Sequence, residues 1–229
     1  MDQKQKDKIQ AAYDKTVEDF LNGISPLAVV PNSFKQSKKF RHFLRDTDPA
    51  LTGSEAPEIM EFLQPAEGDK LLDVGCCANL ATKRFDKWPS LYFGIDISPA
   101  LIQAMQNFVR EADITIGGLE IAEMTALPYP DSIFDLAMVI GVFEYVDMDY
   151  ARSAVRELAR VLKPGARLVA DLPNPAHPHL LTMFRLEEYL GRPNILKSRT
   201  SFEKILSSCF RIVSTDDSQV MIKYFMRKP

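Results

Sequence analysis

The 229-residue sequence has little of what would announce disulfide or metal chemistry: three cysteines and three histidines. Two cysteines are adjacent (Cys76, Cys77) and the third is distant (Cys209), so no disulfide framework is expected. No CxxC pair or His/Cys cluster has zinc-ligand spacing, and a reducing compartment fits such a chain. No run approaches the roughly 18 apolar residues of a membrane span. The opening MDQKQKDKIQAAYDK has no apolar stretch suited to a signal peptide, so a cytoplasmic location is expected. Charge of one sign is also scarce. The formal net charge is −3, which argues against broad nucleic-acid binding. Repeats and low-complexity tracts are missing too. With 46% hydrophobic and 26% charged residues, the chain suits one α/β domain with additions.

Three stretches differ in texture. Residues 1–53 open with a helix over Lys6 to Leu21, where Ile9, Ala12, Tyr13, Val17, Phe20 and Leu21 recur at helical spacing. An irregular segment with Pro26 and Pro31 follows, then the basic run from Lys35 to Arg45 (Lys35, Lys38, Lys39, Arg41, Arg45). That run reads as a solvated face, with an acidic substrate or carrier surface as the sharper alternative.

From Ser54 to Pro173 helix and strand patterns alternate. Ser54, Glu55 and Pro57 start a helix that Pro65 and Gly68 end. KLLDV (Lys70 to Val74), LYFGIDI (Leu91 to Ile97), FDLAMVIGV (Phe134 to Val142) and ARLVADL (Ala166 to Leu172) read as strands, with a weaker one near Ile114 to Ile121. Helices are expected over Ala78 to Lys87, Pro99 to Glu111 and Asp149 to Leu162. This alternation predicts a Rossmann-like, doubly wound, mostly parallel sheet with helices on both faces. Beyond Asn174, a Pro- and His-containing loop precedes helices at Leu180 to Leu190 and Ser201 to Ser208. FRIVSTD and QVMIKYFMR then close the sheet as an antiparallel pair.

The informative unit is strand, Gly-containing turn, helix, then a second strand ending in an acid. Asp96, at the end of that strand, can accept both hydroxyl protons of a ribose diol. The line Gly75-Cys-Cys77-Ala-Asn79-Leu80 lacks the later glycines of a dinucleotide fingerprint, and no G-x-x-x-x-G-K-[ST] loop occurs. A cofactor with a ribose and no phosphate is therefore favoured over a nicotinamide dinucleotide.

Further on come AEMTALPYPDSIFDLAMVIGVFEYV (Ala122 to Val146) and RELARVLKPGARLVADLP (Arg156 to Pro173). Together these motifs resemble class I S-adenosylmethionine-dependent methyltransferases of the small-molecule type, over about Glu61 to Pro173. The resemblance implies S-adenosyl-L-methionine as cofactor, S-adenosyl-L-homocysteine as product and a small-molecule methyl acceptor. Position by position it implies that Asp73 steadies the turn, Gly75 lies under the amino-acid and sulfur portion, and Asp96 holds the ribose. Ile97 would flank the adenine, Glu123 accept from its exocyclic amine and Met124 pack against it. Ile140 and Gly141 would line the methyl-transfer mouth. Cys77 and Asn79 stand where the family has glycines; Asn tolerates positive φ, whereas Cys77 puts a side chain into the cofactor's path. The family frame makes residues 54–229 the methyltransferase domain, with 174–200 a lid insertion and 1–53 a helix and lid segment.

Other candidates have plainer alternatives. His177 and His179 follow strand five, where open α/β sheets place ligands, and either is a candidate general base or simply a surface turn residue. Tyr145, as a catalytic candidate, and Glu144, as a substrate contact, face the same mouth. Tyr13 is placed to close over cofactor or substrate, or is one more residue of an amphipathic face. Cys76 and Cys77 read as small buried residues. No NPPY-like tetrad follows strand four, which disfavours methylation of base or glutamine nitrogens. The competing functions are a non-catalytic, methyltransferase-like binder of cofactor or product and a nicotinamide oxidoreductase.

Overall fold

The computed structural model describes residues 3–51, 57–192 and 194–229. The expected helix start at Ser54 and Glu55 lies outside these. A seven-stranded sheet runs in the order β3-β2-β1-β4-β5-β7-β6. Its strands are β1 (Lys70–Val74), β2 (Leu91–Asp96), β3 (Gly118–Ile121), β4 (Phe134–Val139), β5 (Leu162–Pro173), β6 (Arg211–Asp216) and β7 (Met221–Arg227). The first five pair in parallel; β7 pairs antiparallel with β5 and β6. The mostly parallel sheet with its closing antiparallel pair is as the sequence predicts.

Central strands must be apolar on both faces, because helices cover both. Leu72, Val74, Ala137 and Val139 face α7 (Met148–Val161) and α9 (Arg199–Leu206), which contribute Ala154, Leu158, Phe202 and Leu206. Leu71, Leu136 and Met138 face α4 (Pro57–Leu63), α5 (Asn79–Lys83) and α6 (Pro99–Glu111) through Leu63, Leu80 and Ile102. The helix starts are chemically marked. Ser98 accepts the Leu101 N–H ahead of Pro99, and Asp147 accepts the N–H groups of Asp149 and Tyr150.

Three expectations need correction. The helix expected over Ala78 to Lys87 breaks at Arg84, which takes a left-handed φ of 54°; only a short 3-10 turn follows. Asn79 does not use its tolerance of positive φ. It opens α5, and its amide donates to Asp73 at 3.1 Å. β5 starts at Leu162 rather than Ala166, and its pairing with β4 shifts register between Phe134 and Leu136 to absorb the Pro164-Gly165 turn.

A smaller apolar cluster sits apart. Phe40 and Phe43 of α3 (Lys38–Leu51) pack with Val30 and with Leu186 of α8 (Leu180–Tyr189). The N-terminal segment and the insertion after β5 therefore share one core.

Candidate active site

Strand order reverses between β1 and β4, and open α/β sheets bind ligands in the crevice at that switch point. Here the crevice is a cleft of about 590 Å³, counted to its solvent opening. The carboxyl ends of β1 and β2 supply Val74, Gly75, Ile95 and Asp96, and the segment after β4 supplies Gly141, Val142, Tyr145 and Val146. Ile9 and Tyr13, one turn apart on α1 (Gln3–Leu21), form the roof.

The floor is a tight turn. Gly75 has φ +71°, and a side chain there would collide with Val142. The N–H groups of Gly75 and Cys76 both donate to the Ile95 carbonyl at 2.9 Å. Cys77 takes a positive φ of 44°, a geometry that strains an L-residue by about 1–2 kcal/mol. Its thiol lines the cleft, and burial lifts its pKa to about 11. Cys76 is 1% exposed and packs in the core, as expected of it; Cys77 instead faces the cleft.

Asp96 accepts the Cys77 N–H on Oδ2 and the Ser98 N–H on Oδ1, each at 2.9 Å. A carboxylate has about four lone-pair sites, so two backbone donors leave capacity for a diol. Asp73 lies beneath the turn, 1% exposed, accepting from Tyr92 at 2.8 Å and from Asn79. Its Oδ1 has no partner, and burial raises its pKa to about 7.

Tyr13, Gly75, Cys77, Asp96, Ile97, Met124, Gly141 and Tyr145 thus meet at one cleft. Other expected residues do not reach it. Glu123 is held by Lys6 at 2.6 Å, with the Tyr150 hydroxyl at 3.4 Å. Glu144 is buried below the floor, and burial together with Asp171 raises its pKa well above the usual carboxylate range. Ile140 packs against the apolar core that holds Leu71, Leu80 and Ile102. His177 and His179 lie at the start of α8 and neither lines the cleft. His179 Nε2 lies 2.9 Å from Asp46 and its ring sits on Phe43, while His177 Nδ1 accepts the His179 N–H. The loop after β5 carries these rings toward α3, which is why the strand-end rule failed for them.

Sequence reasoning missed the strapping of α1. Gln5 donates to the Tyr145 carbonyl at 2.7 Å, and Asp14 accepts from Ser98 at the start of α6. It also missed Asp171, which accepts the Gly141 N–H at 2.9 Å and whose only signal was a carboxylate inside an apolar strand. Glu187 and Arg192, beside Tyr145, gave no signal at all. Among the described residues no cluster of His, Cys, Asp or Glu is placed to hold a metal, and no helix is long and apolar enough to cross a membrane.

A buried carboxylate with spare acceptor capacity, a glycine turn that leaves no room for a side chain and a largely apolar wall meet in this cleft at the sheet's switch point. Residues 72–170 match the family described as a methyltransferase domain. That matched segment, from the first to the fifth strand, is a methyltransferase domain of the class I S-adenosylmethionine-dependent type. It is 30% identical over 177 residues to the O-methyltransferase resE of Aspergillus sclerotiorum, covering 75% of this chain and 66% of the relative. It is 31% identical over 140 residues to the demethylmenaquinone methyltransferase of Corynebacterium kroppenstedtii, covering 59% and 56%. The chain thus spans less than two thirds of the length of these relatives. In fold it resembles the geranyl diphosphate C-methyltransferase of Streptomyces coelicolor A3(2), with a TM-score of 0.69, 14% identity and 98% of each chain covered.

Proposed function

We propose that this chain transfers a methyl group from S-adenosyl-L-methionine to a hydroxyl oxygen of a small, largely apolar acceptor. One observation carries the reading: the switch-point cleft joins a buried, ribose-competent carboxylate, Asp96, to an apolar wall and the buried hydroxyl of Tyr145. Asp96 would hold the ribose, Ile97 and Met124 the adenine, and Gly75 the amino-acid end. When bound, the cofactor supplies a methyl group already activated by its sulfonium. The protein's own task is then alignment of the acceptor and exclusion of water. Tyr13 and Ile9 on α1 shut the roof, and residues 1–53 with 174–200 form the lid over the domain of residues 54–229. Tyr145 contacts the acceptor oxygen. O-methylation is supported by the likeness to the O-methyltransferase resE and to the O-methyltransferase rstn1 of Aspergillus nomiae, the latter 34% identical over 140 residues. The free thiols of Cys76, Cys77 and Cys209 suit a reducing, cytoplasmic setting.

Binding of S-adenosylhomocysteine by calorimetry, followed by turnover over a panel of hydroxylated aromatic acceptors, tests this function. The strained Cys77 favours one second reading, a binder without catalysis. Tight product binding with no turnover across the panel would support it.

A further inference from the structure

Beside the cleft lies a buried polar chain that cofactor binding does not use. The Tyr13 hydroxyl donates to the Tyr145 oxygen at 3.4 Å, and Tyr145 donates to Glu187 Oε2 at 2.9 Å. Arg192 Nε stands 2.9 Å from the same carboxylate oxygen, and its guanidinium lies 4.7 Å from the centre of the Tyr13 ring. Glu187 and Arg192 side chains are only 17% and 15% exposed. Both come from the insertion after β5, so this chain joins the lid to the reacting end of the cleft.

A buried ion pair that merely stabilised the lid would gain little over apolar packing. This pair is connected to the cleft through one hydroxyl. Tyr145 spends its proton on Glu187 and accepts only the long 3.4 Å bond from Tyr13, so its oxygen has a lone pair to offer a hydroxyl in the cleft.

We propose that Glu187 is the final proton acceptor for methyl transfer, acting through Tyr145, and that Arg192 stabilises the negative charge left behind. The inference rests on the O-methylation reading above. The acceptor's proton passes to the Tyr145 oxygen as the Tyr145 proton passes to Glu187 Oε2. The acceptor oxygen keeps the O–H electron pair and uses it to form the new O–CH₃ bond. The electrons of the broken C–S bond stay on sulfur, and the proton leaves Glu187 for water. Protonating Glu187 cancels its charge, so Arg192 is released from the ion pair to face the developing oxyanion. Glu187 is thus a positioning and proton-storing residue, and Tyr145 is the group that touches substrate.

The test uses 4-nitrophenol as a chromogenic hydroxyaromatic probe bound beside S-adenosylhomocysteine. In the wild type, bound probe should show its phenolate band at a pH where free probe is mostly phenol. Glu187→Gln and Tyr145→Phe, each loaded with the product to saturation, should hold the probe as phenol, its ionised-to-neutral ratio lower by about tenfold or more. Turnover should fall by about 10²-fold or more, with Glu187→Asp restoring part of it. A phenolate band that persists in both variants overturns the relay. So does intact product binding with an unperturbed or unbound probe in the wild type. Failure of the wild type to bind S-adenosylhomocysteine would instead strike at the methyltransferase reading itself. Should Glu187→Gln not fold, the Tyr145→Phe spectrum decides.

Discussion

Gly75 is the residue at which backbone conformation and ligand space are both exhausted. Its positive φ and the Val142 methyl group exclude any side chain. Gly75→Ala should therefore lose about 1–2 kcal/mol from the left-handed strain alone, with more from the clash. Denaturant melts would register that loss, and calorimetry should find product binding weakened at least about tenfold, the equivalent of about 1.4 kcal/mol. Unchanged stability and affinity would mean that the turn yields more easily than its contacts indicate. Cys77 poses the converse problem. It occupies a glycine's conformation while keeping a side chain, so Cys77→Gly removes strain and a cleft-lining thiol together. Product affinity should rise, because the cleft widens without a new cavity in the core. An unaltered Kd would show that the ligand passes the thiol without touching it.

Among the elements, α1 depends most on the cleft. It is tied by polar bonds to Tyr145 in the cleft and to Glu123 and Ser98 nearby, and Ile9 is its sole buried residue. Segments with few buried apolar contacts open at low free energy. Amide exchange over Gln3–Leu21 should be fast in the free protein and slow by about tenfold or more when S-adenosylhomocysteine is bound. Equal protection in both states would sink the strap. The single Lys6–Glu123 ion pair is worth little by itself, about 0.2–1 kcal/mol at its partial exposure.

Legibility also divides at the scale of elements. Lys70–Val74 and Pro99–Glu111 fall where apolar runs and the Ser98-Pro99 cap put them. The break at Arg84 was invisible, since neither glycine nor proline marks it and tertiary packing sets its φ. The shared core of Phe40, Phe43 and Leu186 joins segments far apart in sequence, and no local pattern announces such a contact. At the site, Gly75 and Asp96 were readable because the turn requires them. Glu187 and Arg192 were not, because a charged pair in an insertion looks like surface until the chain folds it inward.

For the whole molecule, buried carboxylates dominate the response to pH. Burial raises Asp73 from 3.8 to about 7, so the folded state holds that proton more tightly than the unfolded chain does. The stability this contributes is complete below about pH 4 and is lost as pH rises to about 7. Glu144 and Asp171 are raised in the same direction by burial. Urea melts across that window should show wild-type stability falling with pH. Asp73→Asn, which keeps an acceptor for Tyr92 and Asn79, should flatten the slope; an identical slope would place the titration elsewhere.

What fills the switch-point cleft decides the chemistry of the molecule. Calorimetry with S-adenosylhomocysteine and, separately, NADH tests that most directly, with Asp96→Ala as the control. Asp96 making charge-assisted bonds to a ribose predicts saturable product binding, weakened about 10–100-fold by Asp96→Ala, and a much weaker response to NADH. No binding of the product, binding indifferent to Asp96, or tighter binding of NADH would contradict the assignment.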